Sequence, residues 1–284
     1  MSGPSDVVTA SVADAPVVCP FCGGAHVRPE PSLHKLWVYT NYDCNLHCSY
    51  CLVSSSPQAE RRGFPYEQFT RLIDEAVALG CGELFLTGGE PAIYPPIFDM
   101  LRYATARLKT TLLTNGMLWS GPRLEKLEAC RHPNLWLQIS VDSATPDLHD
   151  YFRGEGSWAR TIEGIKSLQR CGFRIKIGAT QTLHSEKRMQ DLEAFLATLG
   201  IPPQDQLVRP VAKRGVSKMG QVLRLEDLEP ELTVDRDGVY WHPIGTDEDV
   251  LLSRQIFPLR QAVEQAEERM HALLRQGKRP RRFY

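Results

Sequence analysis

The sequence has no apolar run long enough to cross a membrane and no excess of charge of either sign. A membrane-spanning helix needs roughly 20 consecutive apolar residues, and no run in the 284 residues approaches that length. The formal net charge is −1, so no overall field attracts nucleic acid or an anionic membrane. The first residues also lack a basic segment followed by an apolar one, so we expect no secretory signal peptide.

No cysteine follows Cys171, and the sequence contains eight cysteines in all. In a chain of this size without a secretory signal, that number favours metal binding over disulfides. We therefore expect a cytoplasmic protein in a reducing compartment, with no membrane partner and no nucleic-acid partner.

Three of the cysteines lie within eight residues, in Cys44-Asn-Leu-His-Cys48-Ser-Tyr-Cys51, directly after the apolar run Leu36-Trp-Val-Tyr39. Three thiolates with no histidine at a fourth ligand spacing suit an iron–sulfur cluster better than a closed tetrahedral zinc site. A four-iron cluster on three cysteines leaves one iron open to another ligand. A structural zinc site completed by a remote ligand is the alternative.

From residue 34 onward, apolar runs typical of strands alternate with amphipathic stretches typical of helices. The strands are predicted at 35–40, 83–87, 109–114, 134–141, 173–181 and 205–211, and the helices at about 65–79, 95–107, 121–130, 158–171 and 186–199. Repeated β–α units predict a parallel sheet with right-handed crossovers. The predicted fold is α/β, a partial (β/α)6 TIM barrel over 34–211, between an N-terminal extension (1–33) and a C-terminal extension (212–284).

Polar motifs follow the first four predicted strands, at the edge where the active sites of such sheets lie. They are Cys44–Cys51, Thr87-Gly88-Gly89-Glu90-Pro91, Thr114-Asn115-Gly116 and Ser140-Val-Asp142. Two glycines let a ligand approach the backbone closely, and the Glu90 carboxylate can accept hydrogen bonds from an ammonium group. Cys81, Cys130 and Cys171 instead precede strands, so we expect them at the opposite edge as small buried hydrophobes.

The Cys-x-x-x-Cys-x-x-Cys motif, followed one β–α unit later by Gly-Gly-Glu-Pro, resembles the signature of the radical S-adenosylmethionine (radical SAM) enzymes. This resemblance covers residues 34–211. It implies a [4Fe-4S] cluster on Cys44, Cys48 and Cys51, whose open iron binds the amino and carboxylate groups of S-adenosylmethionine. One electron, from a donor such as flavodoxin or ferredoxin, then cleaves that cofactor to methionine and a 5′-deoxyadenosyl radical, which abstracts hydrogen from a substrate.

The resemblance also implies roles for individual residues around the cofactor. Residues Gly88, Gly89, Glu90 and Pro91 would hold the methionine amino group, and Tyr50 would lie beside the adenine. Ser140 and Asp142, with Leu148-His-Asp-Tyr-Phe-Arg153-Gly154, resemble a stretch of the peptide-modifying branch and of the molybdenum-cofactor cyclase. Ser140 would bind the carboxylate or ribose, Arg153 the carboxylate, and Asn115 the ribose or substrate. Asp142 would be a further cofactor-binding residue. Packing at the rim for Tyr50 and a surface ion pair for Arg153 are the structural alternatives, and no catalytic acid or base is identified.

The C-terminal extension begins with a predicted hairpin that turns at Asp237-Gly238. It resembles the opening of the SPASM or twitch extension of peptide-modifying radical SAM enzymes, in which a cysteine follows an aromatic pair. Here His242 stands at that position and no cysteine follows Cys171, so a complete auxiliary cluster of that type is excluded. His242 is interpreted as a packed or surface residue. A long helix over 253–276 and a basic tail complete the prediction.

The N-terminal extension contains Cys19-Pro-Phe-Cys22-Gly-Gly-Ala-His26, half of a metal-binding knuckle. Cys19, Cys22 and His26 are candidate ligands, and His34 is a candidate fourth in a Zn²⁺ site of unusual spacing. A second cluster at this position, a redox dithiol and an unligated turn are the alternatives.

Taken together, these motifs predict a radical SAM enzyme whose substrate is a peptide or protein. A small metabolite, such as a nucleotide, sugar or amino-acid derivative, is the alternative substrate. A non-enzymatic iron–sulfur or zinc-binding protein is the alternative from a different class. The residues do not specify what happens after hydrogen abstraction.

Overall fold

Six parallel strands in chain order form the main sheet, in a computed structural model that describes residues 17–18, 25–26, 33–182 and 185–283. They are β3 (Lys35–Tyr39), β4 (Glu83–Thr87), β5 (Lys109–Thr114), β6 (Leu135–Ser140), β7 (Arg174–Gln181) and β8 (Gln206–Pro210). Each pairs with the next in parallel register. All six lie within one residue of their predicted ends. The predicted parallel sheet is therefore confirmed.

Amphipathic helices connect these strands. They are α1 (Tyr66–Ala78), α2 (Ile97–Thr105), α3 (Gly121–Glu128), α4 (Pro146–Arg153), α5 (Ser157–Arg170) and α6 (Glu186–Thr198). In α1, Phe69, Leu72, Ile73 and Ala76 are fully buried, which matches the predicted apolar face. Right-handed crossovers between neighbouring strands place their helices on one face of the sheet. The sequence did not predict α4, whose short span carries mostly polar residues.

The C-terminal extension enlarges the sheet at the edge formed by β3. Strands β9 (Thr233–Asp235) and β10 (Gly238–Tyr240) form the predicted hairpin, and β11 (Leu251–Ser253) adds a further antiparallel strand. Strand β9 runs parallel to β3, with Thr233 opposite Trp37. The sheet order is therefore β11-β10-β9-β3-β4-β5-β6-β7-β8. The last helix, α7 (Leu259–Arg275), begins later than predicted because residues 251–253 form β11.

The chain divides into two units, Met1–Pro31 and Ser32–Tyr284. The first unit contains two short antiparallel strands, β1 (Val17–Val18) and β2 (Ala25–His26). Cys19 and Cys22 of the predicted knuckle lie outside the described residues, and His26 is described only as part of β2. None of the helices in the described ranges combines the length and the apolarity that a membrane span requires.

Helix α5 packs closely on the loop that follows β5, and this contact depends on Gly164. A Cβ atom at Gly164 would lie 1.9 Å from the carbonyl oxygen of Gly116, a backbone atom. In the same helix, the Thr161 hydroxyl donates a hydrogen bond to the Asn115 carbonyl at 2.9 Å. Helix α5 thereby fixes the loop that carries Asn115.

We expect Gly164→Ala to lower the free energy of unfolding by about 1–3 kcal/mol, because the added methyl group overpacks a backbone contact. An ordinary Gly→Ala change inside a helix has the opposite sign and stabilises by roughly 0.5–1 kcal/mol. Urea denaturation measures the difference. Gly82→Ala is the control, since the nearest atom to its added Cβ is 3.9 Å away. A stabilised Gly164→Ala variant would show that the contact is looser than described.

Candidate active site

The three clustered cysteines occupy the loop after β3 and line one cavity of about 250 Å³. The Cys44 amide donates a hydrogen bond to the Ser56 carbonyl at 3.1 Å, and the Cys51 amide donates to the Cys48 carbonyl at 3.0 Å. The Val216 amide, from the segment after β8, donates to the Cys51 carbonyl at 3.0 Å. Backbone bonds therefore hold the loop at both ends of the cysteine motif.

The surroundings of the cysteine sulfurs suit thiolates bound to an iron–sulfur cluster. The backbone amides of Leu46 and Ser55 donate hydrogen bonds to Cys44 Sγ and Cys51 Sγ, at 3.4 and 3.3 Å. Hydrogen bonds to cysteine sulfurs help set the reduction potential of iron–sulfur clusters. Burial raises the pKa of Cys44 to about 12 and also raises the pKa of Cys48. Thiols in such an environment ionise when a bound cation compensates their charge. The donor set therefore fits an iron–sulfur cluster.

A single bound metal ion would need several ligand side chains that converge on one point. Within residues 33–182 and 185–283, no three histidine, cysteine, aspartate or glutamate side chains are placed to hold one metal ion. In a four-iron cluster each cysteine binds a different iron, so the three sulfurs stand apart instead of converging on a point.

The loop after β4 packs directly on the backbone that leads into Cys44. The amides of Gly89 and Glu90 donate hydrogen bonds to the carbonyls of Asn41 and Asp43, at 2.9 and 3.0 Å. A Cβ atom at Gly88 would lie 2.4 Å from the Asn41 oxygen, and one at Gly89 would lie 2.2 Å from the Asp43 oxygen. Both glycines also line the cavity. They are needed for contact between two protein segments, a reason that the motif alone did not indicate.

Glu90 is fully buried, and its carboxylate binds the end of β5. One oxygen accepts hydrogen bonds from the Ala92 amide at 3.0 Å and the Thr114 hydroxyl at 2.8 Å, and the other accepts from the Asn115 amide at 2.8 Å. Burial raises the pKa of Glu90, although these bonds offset part of the shift. Pro91 is buried at the start of a short 3-10 turn, Pro91–Ile93. The Glu90 carboxylate thus has a positioning role, and its predicted ammonium contact stays a prediction.

Asn115 connects the end of β5 to the cysteine loop. Its side-chain amide donates a hydrogen bond to Asn45 Oδ1 at 2.8 Å, and its own oxygen accepts one from the Met117 amide at 3.0 Å. Asn115 also lines the cavity, together with Ser140 at the end of β6 and Thr180 near the end of β7. The structure therefore brings the predicted site residues Asn115 and Ser140 to the same cavity as the cysteines, while their ligand contacts stay predictions.

Asp142, Arg153 and Tyr50 form a buried polar cluster beside Cys48. Arg153 donates from Nε and Nη2 to the two Asp142 carboxylate oxygens, at 2.6 and 3.2 Å, and the Tyr50 hydroxyl donates to the same carboxylate. The Thr180 amide adds a fourth bond at 2.8 Å. Burial by itself would raise the pKa of Asp142, but the Arg153 guanidinium and these hydrogen bonds hold it below its ordinary value. Arg153 and Tyr50 line the cavity, whereas Asp142 orients them from behind.

The structure also shows the surroundings of the three cysteines that precede strands and of Arg153. Cys81 and Cys130 are buried as expected, while Cys171 is half-buried. Arg153 forms an ion pair with Asp142, but this pair is buried and is therefore not the surface ion pair that is its structural alternative. The sequence does not predict the Asn45–Asn115 hydrogen bond or the pairing of Asp142 with Arg153. The opposite charges of Asp142 and Arg153, 11 residues apart, are a signal for their pairing, but the resemblance assigns both residues to the cofactor.

Comparison with known proteins identifies the family. The family model of the radical SAM superfamily matches residues 38–199, more than half of the chain. This chain belongs to the radical SAM superfamily. The match confirms the predicted family, and the fold shared with solved structures of that superfamily confirms the predicted partial TIM barrel.

Several relatives are similar over the same region. The AdoMet-dependent heme synthase of Methanosarcina barkeri is 36% identical over 139 residues, 48% of this chain and 39% of the relative. The antilisterial bacteriocin subtilosin biosynthesis protein AlbA of Bacillus subtilis is 31% identical over 179 residues, 62% of this chain and 39% of the relative. This chain therefore spans about two fifths of the length of these two relatives.

Streptococcus suis SuiB, in its crystal structure with the precursor peptide SuiA, shares the fold. The TM-score is 0.59 at 23% identity, over 70% of this chain and 44% of SuiB. At this identity the likeness concerns the fold alone.

We expect Asp142→Asn to lower the free energy of unfolding by about 3–5 kcal/mol, because it leaves the buried Arg153 charge without its partner. Since the pKa of Asp142 is lowered on folding, its contribution is fully present above about pH 4 and is lost as the pH falls further. The difference between the native protein and Asp142→Asn should therefore be constant near neutral pH and shrink in acid. Urea denaturation at several pH values measures it.

Glu163→Gln is the control for this substitution. It removes the partner of Arg170 from a surface ion pair in which both side chains are 65% exposed, and such pairs contribute at most about 1 kcal/mol. Equal effects of the two substitutions would mean that the Asp142–Arg153 pair does not stabilise the fold.

Proposed function

We propose that this protein is a radical SAM enzyme that abstracts hydrogen from a peptide or protein substrate. The observation that supports this most is a single shared cavity. Three cysteine side chains, the backbone of Gly88-Gly89 and the side chains of Asn115, Ser140 and Arg153 line it together, at the carboxyl edge of a parallel sheet. This arrangement combines a site for a cluster with a site for a cofactor beside it.

The residues present fit both groups. Cys44, Cys48 and Cys51 would hold the [4Fe-4S] cluster, and the Gly88-Gly89 backbone would contact the methionine part of S-adenosylmethionine. When bound, the cluster and S-adenosylmethionine supply one-electron cleavage of the cofactor and hydrogen abstraction from the substrate. Around the bound cofactor, the protein would also exclude water and oxidants.

The remaining side chains bind and orient. Arg153, held by Asp142, would pair with the cofactor carboxylate through the guanidinium edge that Asp142 leaves open. Ser140 and Asn115 would bind the carboxylate or ribose, and Tyr50, fixed by its bond to Asp142, would lie beside the adenine. Glu90 binds the loop after β4 to the end of β5. Residues 34–211 would form the radical SAM core and 212–284 an extension that completes the substrate side.

A peptide substrate is the first choice because two similar proteins are linked to peptides by name. The subtilosin biosynthesis protein acts in the production of a bacteriocin, and SuiB was crystallised with a precursor peptide. The similarity to a heme synthase favours a small molecule as the second candidate. We further propose a cytoplasmic location, in which thiols stay reduced, and an electron donor such as flavodoxin or ferredoxin.

Anaerobic reconstitution with iron and sulfide, followed by dithionite and S-adenosylmethionine, tests this function. We expect 5′-deoxyadenosine and methionine to form, and to form faster with the substrate present. Short peptides encoded beside the gene should then change in mass. An intact four-iron cluster that yields no 5′-deoxyadenosine would leave a non-enzymatic iron–sulfur protein as the correct interpretation. Turnover of small molecules but not of peptides would select the second candidate.

Single Cys44→Ala, Cys48→Ala and Cys51→Ala variants should each lose most of the cluster absorption and all 5′-deoxyadenosine formation, because each removes one of the three iron ligands. Cys171→Ala is the matched control, since this half-buried thiol precedes β7 at the other edge of the sheet. Cluster absorption that persists at full strength in the three variants would place the cluster elsewhere.

The N-terminal knuckle of Cys19, Cys22 and His26 is a separate proposal for a Zn²⁺ site. A Cys19→Ala/Cys22→Ala variant should contain about one zinc ion less per chain and the same amount of iron, because thiolates are the preferred zinc ligands. Elemental analysis of both proteins measures this. An unchanged zinc content would contradict this proposal, and a lower iron content would indicate a second cluster at this position.

A further inference from the structure

A second cavity of about 120 Å³ adjoins the cavity of the cysteines. The two cavities share wall residues at the carboxyl ends of β3, β4, β5 and β8, namely Tyr39, Thr87, Leu113 and Arg209. The second cavity is lined in addition by Trp37 and by residues of the C-terminal extension. We call it the inner chamber. It lies next to the proposed cofactor site, and none of the radical SAM motifs accounts for it.

Aromatic and aliphatic side chains form most of the chamber walls, including Trp37, Tyr39, Ile244 and Phe283. The polar atoms of the first two are already bonded within the protein. Trp37 Nε1 donates to Glu231 Oε2 at 2.7 Å, and the Tyr39 hydroxyl donates to the Pro243 carbonyl at 2.8 Å. Walls of this kind favour a flat, apolar ligand body.

His242 is an uncharged polar residue in the chamber wall. It is 4% exposed, and its Nδ1 atom is buried without a hydrogen-bond partner in the part of the chain that the structure describes. Burial lowers the pKa of His242 to about 4, so the ring is neutral at physiological pH and offers one donor and one acceptor. A buried polar atom without a partner has lost its hydrogen bond to water without a replacement, which is unfavourable. A ligand that bonds to His242 would supply that replacement.

The two charged side chains that line the chamber have opposite signs. One carboxylate, from Glu231, and one guanidinium, from Arg209, line it, and Lys35 Nζ lies 3.5 Å from Glu231 Oε1 outside the chamber wall. A charged ligand would therefore meet a group of its own sign as well as one of the opposite sign. An uncharged ligand with a hydrogen-bonding group avoids this cost.

We propose that the inner chamber is the subsite for an uncharged, ring-bearing side chain of the substrate, and that His242 selects it by a hydrogen bond. This inference rests on the proposed function, because it takes the adjoining cavity to hold the cofactor. A side chain seated in the chamber places the neighbouring part of the substrate at the cofactor cavity. His242 is thus a specificity-determining residue.

Calorimetric titration of the reconstituted protein, with S-adenosylmethionine bound, tests the subsite with p-cresol and toluene. These probes have similar shapes, and only p-cresol carries a hydrogen-bonding group. We expect p-cresol to bind about tenfold more tightly than toluene, since a site built for a hydrogen bond rejects the analogue that lacks it. In His242→Phe the ratio should fall to about one. His242→Leu is the second variant if phenylalanine disturbs folding.

Ile244→Val is the matched control, because it changes an apolar wall residue and should leave the ratio between the two probes unchanged. Equal binding of p-cresol and toluene to the native protein, or a ratio that survives loss of His242, would overturn the inference. Tightest binding of p-toluate would do so as well, because it would indicate an anion site at Arg209.

Formation of 5′-deoxyadenosine by the native protein, without any probe, is measured separately. Its absence together with an intact preference for p-cresol would overturn the proposed function alone. Its presence without that preference would overturn the subsite alone.

Discussion

The position of the cysteine loop depends on two backbone hydrogen bonds, from Gly89 and Glu90 to Asn41 and Asp43. They form because two glycines let the loop after β4 lie against the chain that leaves β3, where any side chain would collide with a carbonyl oxygen. The buried Glu90 carboxylate extends this contact to the end of β5. Three successive strand ends are therefore joined into one rigid unit. The protein therefore fixes the cysteine loop and the proposed cofactor cavity relative to each other before a cluster or a cofactor binds.

A second buried network supports the same loop from the other side. Asp142 collects hydrogen bonds from Arg153, Tyr50 and the backbone of Thr180, so the ends of β6 and β7 are fixed to the segment between Cys48 and Cys51. Buried ion pairs of this kind add little net stability but are costly to break. Their value here is geometric, because Tyr50 and Arg153 face the cavity in one orientation.

Much of the fold could be predicted from the sequence because short apolar runs alternate with amphipathic helices from β3 to β8. Chain order then places Cys44, Gly88, Asn115 and Ser140 at one edge of the sheet, without any knowledge of tertiary contacts. What local patterns do not contain is the choice of partner over long distances. The pairing of β9 with β3 joins residues almost 200 positions apart, such as Trp37 and Thr233, and no periodicity indicates it.

Partners that are distant in the sequence also limit what can be predicted about the candidate site. A carboxylate after a strand is available to a ligand until a protein donor is found for it, and the sequence does not identify such a donor for Glu90 or Asp142. In the structure, backbone amides and an arginine 11 positions away bind these carboxylates, while their cofactor contacts stay predictions. His242 was interpreted as a packed or surface residue, and its burial is confirmed. Its missing partner and its place in a cavity wall are visible only in three dimensions.

The pairing of β9 with β3 also makes the inner chamber a composite of two segments of the chain. It brings Glu231 and His242 to the chamber wall from a segment that contributes no cysteine and none of the Gly-Gly-Glu-Pro residues. The parallel strands complete the wall with Trp37, Tyr39, Thr87, Leu113 and Arg209. The shape of the chamber can therefore be altered from the C-terminal segment without a substitution in the cysteine loop or in the loop after β4.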